Sequence, residues 1–246
     1  MYMTRTGTGA TDEQRAAASY LGSLEDPLAP WVQATGPIDP YEMHLPVTVK
    51  DPVEWLSFSL VSQQISMAAA TAIFSRLLTA LGGGFAPERV IAAEDATLLG
   101  AGLSHAKVRA IRGLAKQVED GRLEVGKFRT MPDEEIESEL VAVPGIGPWS
   151  AEMFMMRCIQ RPDVFPAGDA GVRAALTTLD KLSVRITPKA AKQRSQVWRP
   201  YRTYATSYLW GYLWALDHPE AYCREVAPGA PRARPGAQAR PLATRG

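Results

Sequence analysis

One short turn constrains this chain more than any other feature. It reads Val143-Pro144-Gly145-Ile146-Gly147-Pro148 and lies between two stretches of helical periodicity. Upstream, Pro132-Asp133-Glu134-Glu135 opens a helix. Proline suits a first turn, and acids there favour the positive end of the helix dipole. Ile136, Leu140 and Val143 recur at helical spacing. Gly145 and Gly147 then flank Ile146, and glycine permits positive φ and close approach of another backbone. Pro148 fits the first position of a second helix, predicted to continue through Cys158. Amides between the two helices have no helical partners, and a helix start with such amides suits a phosphate. The same turn also serves as a plain packing corner, so alone it does not choose.

The residues that follow add chemistry. Asp169 comes just after Pro166-Ala167-Gly168, at the head of another predicted helix. A backbone clamp for phosphate, followed about twenty residues later by an isolated carboxylate, points to chemistry on DNA rather than binding alone. An aspartate before a helix also reads as its N-cap. The two roles are compatible, because a carboxylate fixed at a helix start is a positioned charge.

The 246 residues suffice for one large domain or two small ones. No apolar run approaches the length needed to span a bilayer, so no membrane partner is expected. The N-terminus, MYMTRTGTGATDEQ, lacks an apolar secretory core, and cytoplasmic residence is the default expectation. Two cysteines, Cys158 and Cys223, argue against a disulfide framework. Cys158 lies on an apolar helix and reads as core. His44, His105 and His218 are scattered and make no metal cluster.

A net charge of +1 speaks only weakly for nucleic acid. Its distribution says more. Ser104 reads as an N-cap, and the helix after it carries His105, Arg109, Arg112 and Lys116 on one stripe. Val108, Ile111, Leu114 and Val118 lie toward the other side. A basic stripe beside an exposed helix start can contact phosphates. Its far end reads equally well as a solvated face. Asp133, Glu134, Glu135, Glu137 and Glu139 make the first hairpin helix acidic, and it is expected to face away from DNA.

Helices are predicted from Pro52 toward Ser62, from a Ser66 cap through Leu81, and over 87–92, 94–100, 104–120, 133–142, 148–159, 170–180, 188–196 and 200–216. Val47-Thr48-Val49 reads as a short extended piece. No strand alternation is sustained, and the direct reading is an all-α protein. Residues 1–12 and the Ala/Pro/Gly-rich tail 224–246, with its scattered arginines, are expected to be disordered.

Taken together, VPGIGPWSAEM and RPDVFPAGDAGVR resemble the helix-hairpin-helix DNA glycosylase superfamily, and within it the 3-methyladenine DNA glycosylase II (alkylation-repair) branch. Val61-Ser62-Gln63-Gln64-Ile65-Ser66, Ala101-Gly102-Leu103-Ser104 with Lys107, and Arg199-Pro200-Tyr201-Arg202-Thr203-Tyr204 with Leu209-Trp210 extend the likeness over roughly residues 25–223. The resemblance implies two helical subdomains flanking a DNA-binding cleft, within a domain over 13–223. The middle half would cover about 50–160; the other half would join about 13–49 to 161–223. An extra N-terminal β-domain of larger relatives is not expected.

The resemblance also assigns roles. Asp169 matches the family's catalytic aspartate, which stabilises positive charge on the deoxyribose and helps orient water. Gly168 departs from the pattern, since many relatives carry a second acid there. Trp149 stands where strand-cutting relatives carry a Schiff-base lysine, and tryptophan cannot form that bond. Trp149, Met153 and Trp210 become candidates for the base pocket, where an aromatic face suits a cationic alkylated purine. Trp149 and Trp210 read also as core. Gln64 and Ile65 match the wedge that fills the gap left by a flipped base; Ile65 reads also as a buried neighbour of a cap. Gly145, Gly147, Ser104 and Lys107 become candidates for the DNA backbone.

The family binds a monovalent cation through carbonyls matching Val141, Val143 and Ile146, so a structural Na+ or K+ is an expectation. No cofactor is otherwise expected, and two cysteines cannot build the four-cysteine iron–sulfur cluster of some relatives. The implied function is a monofunctional DNA glycosylase acting on alkylated purines, of the 3-methyladenine or 7-methylguanine type, in double-stranded DNA containing damaged bases. A monomer is expected. The alternatives are a same-fold glycosylase for another damaged base, and a non-catalytic hairpin protein that binds DNA. Asp169 argues against the last.

Overall fold

The computed structural model describes residues 4–5, 9–41 and 51–219, without side-chain placement for the first pair. Contacts divide the chain into two units. One is Tyr41–Asp169; the other joins Met1–Pro40 to Ala170–Gly246. Among the described residues the structure is almost wholly helical.

The Tyr41–Asp169 unit holds α3 (Pro52–Ser62), α4 (Met67–Ala80), α5 (Pro87–Ala92), α6 (Asp95–Gly100), α7 (His105–Glu119), α8 (Asp133–Val141) and α9 (Pro148–Arg157). The caps explain the boundaries. Asp51 accepts the Glu54 amide at the start of α3, with Pro52 in the first turn. Ser66 does the same for α4 and Ser104 for α7. The core is aromatic. Trp55 and Phe128 each meet Phe154 edge-on, at 5.7 and 5.8 Å between ring centroids, and Phe58 meets Phe74 at 5.2 Å. On α7, Val108, Ile111 and Leu114 are buried, as their spacing predicts.

The other unit holds α1 (Asp12–Ser23), α2 (Ala29–Thr35), α10 (Ala170–Leu179), α11 (Pro188–Arg194) and α12 (Arg202–Asp217). Helix α12 ties the two stretches of this unit together. Tyr204 donates to the Glu13 carboxylate at 3.0 Å, and Tyr208 to the Gly36 carbonyl at 2.8 Å. Arg194 pairs with Asp26 at 2.7 Å and Asp180 at 3.0 Å while lying over the Trp198 ring.

The N-terminal expectation needs correction. Order begins before residue 13. Thr4–Arg5 (β1) pairs antiparallel with Ile38–Asp39 (β2), and Thr11 opens α1 through a reciprocal capping box with Gln14. Helices α1 and α2 were not foreseen at all. Helix α11 stops at Arg194 and passes into a 3-10 turn over Ser195–Trp198, where a longer helix was predicted. The Val47–Val49 piece, Cys223, His44 and the tail 224–246 lie outside the described residues.

Candidate active site

The hairpin turn is built by one glycine, not two. Helix α8 ends at Val141, and the Ile146 amide reaches back to the Val143 carbonyl at 3.0 Å. Pro144 and Gly145 take the two central places. Gly145 has φ +92°, as the third residue of such a turn demands. A Cβ there would sit 3.1 Å from Leu60 Cδ2 and 3.2 Å from Ala110 Cβ. Gly147 behaves differently. Its φ of −98° and ψ of 175° suit any residue, and a Cβ would meet nothing within 4 Å. Positive φ therefore does not explain Gly147. It is the N-cap of α9 and supplies no side chain to the first amides of that helix. Buried Val143 and Ile146 anchor the loop from below, while Val141 is exposed.

The carboxylate is held by a tight approach segment. Val164, Phe165, Pro166 and Ala167 are buried, and two turn bonds of 2.9 Å close it, Ala167 amide to Phe165 carbonyl and Asp169 amide to Pro166 carbonyl. Asp169 is half-buried, and α10 begins at the next residue. Trp149, in the first turn of α9, is 44% exposed. Its indole Nε1–H donates to Asp169 Oδ2 at 2.9 Å. The sequence reading gave Trp149 a stacking face and missed this bond, since no local pattern links residues twenty apart. Met153, one turn along α9, is buried. Trp210 is half-buried on α12 of the other unit.

The Gln-Gln-Ile-Ser segment forms the joint between α3 and α4. Gln63 closes α3, Gln64 adopts φ +60°, and Ser66 caps α4. Positive φ at a non-glycine residue is uncommon and costs free energy. Gln64 is exposed, and Ile65 is 37% exposed. Both side chains are thus displayed on a sharp corner rather than packed, which sets aside the reading of Ile65 as a buried neighbour.

Two basic residues expected to meet phosphate are engaged inside the protein. Lys107 Nζ donates to the carbonyls of Val61 at 2.6 Å and Gln63 at 3.0 Å, and burial draws its ammonium below the usual lysine pKa. It caps the C-terminal end of α3. Arg112 donates to the carbonyls of Val90, Ile91 and Ala93 behind α5 and pairs with Asp95 at 2.7 Å. His105, Arg109 and Lys116 remain exposed, as does Ser104, whose hydroxyl accepts the Lys107 amide at 3.3 Å. Gln63 was not foreseen as a site residue. Its side chain donates to the Gly145 carbonyl at 2.9 Å, joining the α3–α4 corner to the hairpin. Among the described residues no cluster of His, Cys, Asp or Glu could hold a metal ion.

Comparison with known proteins places this geometry. The chain is 28% identical over 179 residues to a DNA-3-methyladenine glycosylase of Bacillus subtilis, covering 68% of this chain and 59% of that protein. It is 32% identical over 184 residues to a probable bifunctional transcriptional activator/DNA repair enzyme AlkA of Mycobacterium tuberculosis, covering 71% of this chain and 35% of that one. The chain thus spans less than two thirds of either relative. Among solved structures, the Schizosaccharomyces pombe 3-methyladenine DNA glycosylase in complex with abasic DNA superimposes with a TM-score of 0.69 at 27% identity, covering 82% of this chain and 97% of that one. A DNA-3-methyladenine glycosidase of Bacillus halodurans gives 0.72 at 30% identity, covering 82% and 91%. Residues 58–200, which hold the α3–α4 corner, the hairpin and Asp169, match the HhH-GPD superfamily base excision DNA repair protein family, and the chain belongs to it.

Proposed function

We propose that this protein is a monofunctional DNA glycosylase that releases alkylated purines from double-stranded DNA and leaves an abasic site. The observation that carries the reading is the Asp169 carboxylate fastened by Trp149 beside the hairpin. A purine alkylated at N3 or N7 is cationic and a good leaving group, so little acid catalysis is needed. As its bond to C1′ lengthens, positive charge grows on the deoxyribose. A carboxylate held in place stabilises that charge without reorganising, and it can accept a hydrogen bond from the attacking water. The base departs with the bonding pair as a neutral purine, water supplies the oxygen at C1′, and the water's released proton passes by way of Asp169 to solvent. Trp149 offers no amine, so the strand stays intact.

The remaining parts serve access. Amides at the uncapped start of α9, beside the open face of Gly147, are suited to a DNA phosphate. Gln64 and Ile65, exposed on a strained corner, are suited to fill the space of an extruded base. The carbonyls of Val141, the last residue of α8, and of Val143 and Ile146 in the turn after it would hold a monovalent cation there, screening the phosphate. Val143 already accepts the Ile146 amide but keeps a second lone pair. The protein is proposed to act as a monomer in the cytoplasm. No described helix is long and apolar enough to cross a membrane. The test is incubation with methylated DNA and chromatography of the released bases. Release of 3-methyladenine or 7-methylguanine supports the reading; release of only oxidised or deaminated bases from matched substrates overturns it.

A further inference from the structure

We propose that Lys107 and Gln63 are positioning residues that hold the Gln64–Ile65 corner in its DNA-inserting form and lock it to the hairpin. The proposal rests on the wedge reading above. Four observations converge on it. The last carbonyls of α3 lack helical partners, and the Lys107 ammonium supplies donors to two of them, Val61 and Gln63. Gln63 is the residue immediately before the positive-φ Gln64. The Gln63 side chain donates to the Gly145 carbonyl, at the one hairpin position that requires glycine. Finally, Lys107 is the third residue of α7, near the positive end of that helix, where a cation is disfavoured.

Val61 is fully buried, so its carbonyl is met from inside the unit by the Lys107 side chain. A half-buried ammonium that donates to both carbonyls, beside an unfavourable dipole, fixes the direction in which the chain leaves α3. That direction decides where Gln64 and Ile65 project. A corner already rigid loses little entropy when its side chains enter the duplex, so less of the binding energy goes into ordering it. The Gln63–Gly145 bond fixes the spacing between the corner and the phosphate-facing loop, which have to engage the same DNA at once. The corner, the hairpin and the start of α7 thus form one preset surface within a single unit.

The experiment measures single-turnover excision of one alkylated base at saturating enzyme, with the lesion paired, mismatched or in single-stranded DNA. Lys107→Met keeps the aliphatic stem and removes the charge; Gln63→Leu keeps the bulk and removes the donor. Each is expected to slow excision from the paired duplex by about tenfold, since lost preorganisation acts on the step that needs insertion. The loss should shrink to about threefold or less in single strands, where extrusion costs little. Combining the two variants should add less than the product of their effects, because both act on one corner. Lys107→Arg, which can still reach the carbonyls with two donors, should recover part of the rate. Equal loss in all three contexts, or no loss in the paired duplex, overturns the proposal. If Lys107→Met does not fold, Gln63→Leu decides alone. A parallel Gln64→Ala/Ile65→Ala variant tests the wedge itself. If it shows no dependence on pairing, the wedge reading falls and this proposal with it. If it does while Lys107→Met and Gln63→Leu do not, only the positioning roles fall.

Discussion

The indole Nε1–H of Trp149 lies 2.9 Å from Oδ2 of Asp169 and donates to it across twenty residues of chain. Hydrogen bonds to a charged acceptor contribute about 1.5–3 kcal/mol, and solvent exposure puts this one toward the low end. The bond restricts the carboxylate to one orientation before substrate arrives. Trp149→Phe keeps an aromatic face and deletes the donor together with part of the ring surface. It should reduce the single-turnover rate about tenfold with little change in DNA affinity. Asp169→Asn removes the charge and should cost on the order of a hundredfold or more, as for other preorganised electrostatic groups. In the Asp169→Asn background, Trp149→Phe should cost little further. Independent, multiplicative effects would show that Trp149 acts on the base and not through Asp169.

The same tryptophan predicts the product. With no lysine at position 149, turnover should leave a continuous strand that breaks only after alkali or heat. Borohydride added during turnover should trap no covalent protein–DNA adduct on a denaturing gel. A robust trapped adduct would show that another amine attacks C1′, and the hydrolytic mechanism would be wrong.

What the sequence made legible follows from the range of each signal. Local signals read well. Ser66 and Ser104 sit as caps where the sequence placed them, and the predicted helices from Pro52 to Leu179 fall within a few residues of those observed. Helix α1 was missed although Thr11-Asp12-Glu13-Gln14 spells a capping box, because small polar residues before it read as a disordered arm. The site failed to be legible where side chains cross long stretches of chain. Lys107 reaches back 46 residues to Val61, and Gln63 reaches forward 82 to Gly145. Helical periodicity places both residues on elements but says nothing about which carbonyl a long side chain finds. Arg112 shows the same limit, since a basic stripe in sequence turned one arginine toward the end of a neighbouring helix.

Cys158 gives a pH-dependent prediction. Burial is the main cause that raises its thiol to about 11, with Arg129 lowering it and Asp51 raising it. The folded protein keeps a proton that the unfolded chain loses near the ordinary value of 9.0. The contribution of this group to stability is therefore complete below about pH 9 and declines as pH rises toward about 11. In a Cys223→Ser background, alkylation of the folded protein should stay slow at pH 9 and accelerate only near pH 11. Comparing thermal stability with Cys158→Ala across that window isolates this group from other titrations. Rapid modification at pH 8 would show that the thiol is not shielded.

The two hairpin glycines should separate folding from binding. Gly145→Ala places a side chain at φ +92° and against Leu60 and Ala110, so it should lose about 1–3 kcal/mol of stability. Gly147→Asp meets open space at an ordinary φ, and its carboxylate can accept amides at the start of α9. Aspartate is a favoured N-cap, and its gain over glycine is a few tenths of a kcal/mol, so the fold should be unharmed or slightly stabilised. The same carboxylate would occupy the place proposed for a DNA phosphate and repel it. Affinity for damaged and undamaged duplexes should fall together, by about tenfold, because phosphate contacts carry no sequence information. Thermal melting and fluorescence anisotropy on an abasic-analogue duplex and a normal one provide the two readouts. A Gly147→Asp protein that melts normally and binds both duplexes as tightly as the parent would place the phosphate contact elsewhere on the chain.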